Sequence, residues 1–167
     1  MSFHCIACDS DKSISHSMKD AKAGNLILIA CCQNCGLVQL KDVPSELDLY
    51  EFYKSKYRVE YRKQDRPSPK HVYRAGAQAI SRLKKIAPFI RENTKLLDIG
   101  SGGGEFTYLA SRLGADAFGI DPSSGYLEFG KNHYAINVEQ KQISQLEGTQ
   151  SYQIVTMFHV LEHLPNQ

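Results

Sequence analysis

Leu96-Leu97-Asp98-Ile99-Gly100-Ser101-Gly102-Gly103-Gly104-Glu105-Phe106 is the stretch whose reading decides the fold. An apolar run, a glycine turn and the opening of a helix follow one another. Leu96, Leu97 and Ile99 suit a parallel strand buried on both faces. Gly100, Gly102 and Gly104 let the chain turn sharply and leave room for a ligand to approach the backbone. Phe106, Leu109, Ala110 and Leu113 then recur at helical spacing. A turn of this kind places a ligand outside the carboxyl end of the strand, where open α/β sheets bind nucleotides.

The glycine spacing separates two nucleotide classes. A dinucleotide site wants G-x-G-x-x-G, or Ala in the last place. The sixth residue from Gly100 is Glu105, which argues against NAD. The pattern G-x-G-x-G fits, with an acid two residues ahead of it. Ala115 and Ala117–Ile120 then make a second short strand that ends at Asp121. An acid there, about 20 residues beyond the glycines, is placed to accept hydrogen bonds from both ribose hydroxyls. Pro122-Ser123-Ser124 opens a further helix, with proline where its missing N–H costs little.

At 167 residues the chain holds one ordinary domain or two small ones, and 42% hydrophobic residues suffice for a core. A net charge of +2 gives no footing for nucleic acid or an anionic membrane as partner. The basic residues of Lys54–Lys70 read as a solvated surface. No apolar run reaches the roughly 18 residues a membrane helix needs. The N-terminus shows no basic region followed by an apolar one, so no secretory signal is read. The expected location is the cytoplasm, where five cysteines serve as metal ligands more readily than as disulfides.

Four of them form Cys5-Ile6-Ala7-Cys8 and, 23 residues on, Cys32-Gln33-Asn34-Cys35. Two such knuckles complete a tetrahedron of thiolates around zinc. Gly36 suits the turn of the second knuckle. Leu26–Ala30 and Leu37–Leu40 are strands leading into and out of it. Residues 1–42 therefore read as a zinc-binding ribbon whose metal supplies much of its folding free energy. Cys31 competes with Cys32 as the fourth ligand; Cys32 keeps the two-residue spacing. His4 and His16 are available but unneeded. A site closed by four protein ligands is structural, not the reaction centre.

Residues 43–90 read as a helical connection and a cover helix. Pro44-Ser45-Glu46-Leu47 opens a short helix with Ser45 as cap. Tyr53, Tyr57 and Tyr61 form an aromatic stripe, which packs on the next domain or covers the cofactor or substrate. Arg66-Pro67-Ser68-Pro69 marks a linker. His71–Ile90 is an amphipathic helix with Val72, Ala75, Ala79, Ile80, Leu83, Ile86 and Ala87 on one face. In residues 91–167 a helix follows from Ser123 to Asn132, and Ala135–Val138 leads into a third strand. Ile143–Leu146 comes next. Tyr152–Phe158 is a β-branched fourth strand ending in His159-Val160-Leu161-Glu162-His163-Leu164-Pro165.

Taken together, the glycine turn, Asp121 and Phe158–Pro165 resemble the class I S-adenosylmethionine (SAM)-dependent methyltransferases. The likeness is to the group that includes ubiquinone and sugar methyltransferases. One branch, the sugar C-methyltransferase type, carries an N-terminal four-cysteine domain whose second knuckle is similar to Cys32–Val38. The implied fold is α/β: a zinc ribbon plus a partial Rossmann-like parallel sheet with flanking helices. The resemblance implies that Gly100, Gly102 and Gly104 line the methionine and ribose part of SAM. Asp98 would hold its amino group by charge-assisted hydrogen bonding, and Asp121 the ribose hydroxyls. Ile143 and Ser144 would lie against adenine, and Phe158 and His159 would face the methyl donor. His159 and His163 are candidates for a base acting on a small-molecule acceptor, with Glu162 as an orienting group.

The chain departs from the family at Gln142 and Gln153, where acids are common. It supplies four of the family's seven strands and reads as a fragment, inactive by itself. The fourth strand would then be an edge, inviting pairing with a second copy or leaving the C-terminus poorly ordered. A non-catalytic zinc-ribbon binding module joined to a nucleotide-binding domain is the alternative.

Overall fold

The computed structural model describes residues 3–21, 24–41, 46–53, 66–146 and 151–164. The chain divides into two compact units, Met1–Ser45 and Glu46–Gln167.

The first unit is an antiparallel sheet of β1 (Ser13–Lys19), β2 (Leu26–Cys32) and β3 (Val38–Leu40), in that order. β2 and β3 lie where the sequence places them. β1 was not foreseen: its alternation of serine with Ile14, His16 and Met18 has the period of a strand, but too few apolar residues to stand out. The register pairs Ser13 with Cys32 and Ser15 with Ala30. The core is Phe3, Cys5, Ala30 and Cys32, with Cys8 and Leu37 packed against it. So small a core buries too little apolar surface to stabilise a fold by itself.

In the second unit α1 (Glu46–Glu51) comes first, then α2 (Pro69–Ile86). The Pro-Ser-Pro segment leads into the start of this helix. Ser68 accepts a hydrogen bond from the His71 N–H at 3.3 Å, and Pro69 occupies the first turn, where no N–H is missed. α2 thus begins two residues before the expected His71. It ends at Ile86, and Ala87–Phe89 tightens into a 3-10 turn that contains Pro88.

Four parallel strands follow: β4 (Lys95–Ile99), β5 (Asp116–Ile120), β6 (Asn137–Glu139) and β7 (Ile154–Met157). Their order is β6-β5-β4-β7. Between them lie α3 (Glu105–Arg112) and α4 (Ser124–Tyr134). This is the α/β parallel sheet with flanking helices that the glycine stretch implies. β4 is covered on both faces. Leu96 packs with Ala79, Leu83, Phe106, Ala110 and Ala117, while Leu97 and Ile99 pack with Ile120 on the other side. α2 shares the first of these clusters, so the cover helix belongs with the sheet. Gln153 pins the open end of the β4–β7 pair: its side chain accepts from the Lys95 N–H at 2.8 Å, and its own N–H donates to the Lys95 carbonyl at 3.0 Å. Among the described residues no helix is long and apolar enough to cross a membrane. Ser45, Lys54, Tyr57, Tyr61, Pro165 and Asn166 lie outside the described residues.

Candidate functional site

The turn after β4 is tied to the neighbouring strand. The N–H groups of Gly100 and Ser101 both donate to the carbonyl of Ile120, at 2.8 and 3.0 Å. Gly100, Gly102 and Gly104 have φ of +74°, +58° and +80°. Side chains rarely adopt this region, and at Gly104 the space is filled as well, since an added Cβ would lie 2.1 Å from Ile136 Cδ1. Asp121, at the tip of β5 and 6% exposed, accepts from the Gly102 N–H at 2.9 Å and from the Ser123 N–H at 2.8 Å. One carboxylate therefore joins the glycine turn to the start of α4.

Asp98 lies beneath that turn, 2% exposed. Thr107 donates to its Oδ2 at 2.9 Å and Thr156 to its Oδ1 at 2.8 Å. Burial raises its pKa to about 6. The two threonine hydroxyls pull the other way, the Asp121 charge adds to the rise, and Arg82 opposes it. Both carboxylate oxygens are held within the fold by these hydroxyls.

At the carboxyl end of β7 the chain turns sharply. His159 has φ of +58°, unusual for a residue with a side chain, and its side chain is 79% exposed. Its Nδ1 lies 3.4 Å from Glu162 Oε1. Glu162 is held below its usual range, mainly by its own backbone N–H, with His163 and His159 adding to this. His163 Nδ1 lies 3.0 Å from the Tyr53 hydroxyl. Phe158 is engaged in packing. Its ring meets Phe106 edge-on at 5.0 Å, and Arg82 sits 4.3 Å from its centroid. Val160 closes over Gly100, where an added Cβ would meet its Cγ2 at 2.3 Å. Ile143 and Ser144 lie in a 3-10 turn, both exposed, and Ser144 donates to the Gln142 side chain at 3.3 Å.

Several residues that shape the site were missed in the sequence. Thr107 and Thr156 looked like ordinary helix and strand residues; only the pairing of β4 with β7 and α3 brings them to Asp98. Gly130 lies within α4, and an added Cβ there would meet the Gly103 carbonyl at 2.5 Å. Its lack of a side chain lets the helix approach the turn. Ser101 Oγ is buried, and among the described residues it has no hydrogen-bond partner.

The sulfurs of Cys5, Cys8, Cys32 and Cys35 all lie within 4.8 Å of one another. The two knuckles share one backbone geometry. Asp9 N–H donates to the Cys5 carbonyl and Gly36 N–H to the Cys32 carbonyl, both at 3.0 Å. Asp9 and Gly36 both have positive φ, +58° and +75°. Cys31 is not part of the cluster: its Sγ approaches the carbonyls of Gly36 and Cys32 at 3.8 and 3.9 Å. The choice of Cys32 follows from the alternation of β2. The thiols compete for charge. Cys32 is drawn down to about 6, first by the Cys35 N–H. Cys35 is pushed up to about 12: the Leu37 N–H lowers it, but Cys8, Cys5 and burial outweigh that. Four sulfurs this close ionise together only around a cation.

Residues 70–167 match the family model described as a methyltransferase domain. The ubiquinone biosynthesis O-methyltransferase of Rhodopseudomonas palustris (strain TIE-1) is 33% identical over 78 residues, covering 44% of this chain and 31% of that protein. The protein of the same description from Acinetobacter baumannii (strain ACICU) is 36% identical over 80 residues, covering 43% and 34%. The matched stretch spans about a third of the length of these curated relatives. The magnesium protoporphyrin IX methyltransferase of Synechocystis PCC 6803, solved with bound SAM, has a TM-score of 0.55 at 18% identity, covering 74% of this chain and 66% of that one. At that identity the likeness is one of fold.

Proposed function

This chain belongs to the methyltransferase-domain family, with the class I SAM-dependent fold, and we propose that the protein transfers a methyl group from SAM to a small-molecule acceptor, such as a sugar or related metabolite. The observation that carries this reading is the bond from the Gly102 N–H to Asp121. It holds the glycine turn and the ribose-binding acid together outside the carboxyl ends of β4 and β5.

The residues present fit the cofactor. Asp98 is a buried carboxylate whose charge is under-compensated, which suits a ligand that carries positive charge. Ser101 Oγ, without a hydrogen-bond partner among the described residues, and the narrow turn offer a polar cradle. Gly100, Gly102 and Gly104 would line the methionine and ribose portion, and Asp121 would accept from the ribose hydroxyls. Ile143 and Ser144 would flank the adenine. SAM, when bound, supplies an activated methyl group, so the protein mainly aligns the reacting atoms. His159 and His163 would take the acceptor's proton, and Glu162 would orient His159.

The four-cysteine cluster would hold a structural zinc ion. A zinc ion with sulfur ligands at about 2.3 Å requires sulfurs about 3.8 Å apart. The Cys5–Cys35 and Cys8–Cys32 pairs stand at 3.5 and 3.6 Å. The expected compartment remains the cytoplasm, where thiols stay reduced.

Calorimetric titration with S-adenosylhomocysteine, with NAD run in parallel, tests the assignment. Saturable binding of the first alone supports it, and binding of NAD alone overturns it. Asp121→Asn is expected to weaken S-adenosylhomocysteine about 10-fold or more, the scale of a hydrogen bond to a charged group. Unchanged affinity in a folded variant would remove Asp121 from the site.

A further inference from the structure

Two imidazoles stand at the carboxyl end of β7, and each is held through Nδ1. His159 Nδ1 faces Glu162 Oε1 at 3.4 Å. His163 Nδ1 faces the Tyr53 hydroxyl at 3.0 Å, from a residue 110 positions earlier. The Tyr53 and His163 rings also touch, with centroids 5.6 Å apart and planes tilted by 57°. Tyr53 lies two residues beyond the end of α1, and Phe52 meets it edge-on at 5.3 Å. His163 is exposed, so its second nitrogen is not walled off by this contact.

We infer that Tyr53 is a positioning residue of the candidate site: its hydroxyl oxygen accepts a hydrogen bond from Nδ1–H of His163 and so leaves Nε2 as the nitrogen that takes the acceptor's proton. The inference rests on the methyl-transfer reading for its chemical meaning. A neutral imidazole has one N–H donor and one acceptor nitrogen. The partner of one nitrogen decides which state the other is in. With Nδ1–H given to Tyr53, the lone pair lies on Nε2. The phenol oxygen goes on accepting from Nδ1–H once Nε2 is protonated, so the ring need not turn during transfer. The step balances. An electron pair on the acceptor forms the bond to methyl while its proton passes to Nε2, and the sulfonium sulfur keeps the pair of the broken C–S bond. The imidazolium later returns its proton to water. Glu162 plays the corresponding part for His159. Both histidines thus present the same nitrogen.

The rival arrangement, in which Tyr53 O–H donates to Nδ1, is purely structural. It would place the proton on Nε2, where histidine in water mostly carries it, and His163 could not serve as a base there. The two are separated by long-range 1H–15N correlation spectra of the full chain, zinc-loaded and labelled with 15N-histidine, at about pH 8, where imidazole is neutral. His163→Gln identifies the signal. The expected result is an Nδ1–H tautomer for His163 in the unaltered protein. In Tyr53→Phe it should revert to Nε2–H while the His159 signals stay in place. An Nε2–H tautomer in the unaltered protein overturns the inference, and so does an unchanged tautomer in Tyr53→Phe. The first result does not depend on Tyr53→Phe, so loss of folding in that variant does not hide the answer. The spectra need neither SAM nor an acceptor. A failure to bind S-adenosylhomocysteine would therefore count against methyl transfer and is read separately from the tautomer.

Discussion

Thr156 on β7 donates its hydroxyl to Asp98 on β4 at 2.8 Å, across a parallel ladder that pairs these two residues in register. With Thr107 closing on the other oxygen, the carboxylate is anchored from the neighbouring strand and from α3. The two hydroxyls soften the cost of burying it but do not cancel it, and its pKa stands at about 6 against 3.8 in an unfolded chain. The folded protein therefore holds a proton that the unfolded chain has released between about pH 4 and pH 6. Stability from this group is fully present below pH 4 and is lost as pH rises through 6, on the order of 3 kcal/mol in all. Asp98→Asn removes the titration. Urea unfolding should show the variant near the unaltered protein at pH 4 and more stable than it at pH 7. A difference that does not change with pH would show that Asp98 keeps an ordinary pKa.

Gly130 brings α4 to the carbonyl of Gly103, 2.5 Å from where a Cβ would stand. The opposing atom is backbone, so it cannot swing aside as a side-chain tip can. Gly130 lies within the helix, where alanine by itself is favoured by about 1 kcal/mol. Gly130→Ala is thus expected to spare or strengthen α4 while displacing the glycine turn. Affinity for S-adenosylhomocysteine should fall, with far-ultraviolet circular dichroism unchanged. Affinity within twofold of the unaltered protein would show that the turn does not depend on this approach.

What the sequence showed plainly was local and periodic. The Leu96–Phe106 stretch carried its strand, turn and helix in order. The paired Cys-x2-Cys segments carried the four-sulfur cluster. What it hid depended on contacts between distant segments. Thr107 and Thr156 acquire their role only when α3 and β7 close around β4. Tyr53 meets His163 across 110 positions. Phe158 showed only that it is aromatic and adjacent to the strand end, not that Arg82 and Phe106 would hold it. β1 was hidden for another reason: its alternate positions are serines, so its pattern is weak in hydrophobicity though regular in period.

Zinc removal should separate the two units. The first has a core of four residues, two of them cysteines of the cluster. The second packs Leu96, Phe106, Ala110 and their neighbours without any metal. Chelation, or Cys32→Ser, is expected to unfold residues 1–45 and leave the parallel sheet folded. Amide exchange should rise across β1–β3 and stay slow in β4 and β5. Protection of β1–β3 that survives a strong chelator would show that the ribbon folds without metal.

β7 pairs with β4 and, among the described residues, with no other strand. Val155 is 51% exposed and Met157 40%, so one apolar face of this edge strand also meets water. Such an edge offers unpaired backbone groups to any second strand. The 167-residue chain is expected to self-associate through Ile154–Met157, giving a sedimentation coefficient that rises with concentration. Val155→Lys sets a charge on the exposed strand and should return the protein to a monomer, while Gln153 and the β4–β7 register are untouched. A chain that stays monomeric at every concentration would mean that this edge is already covered.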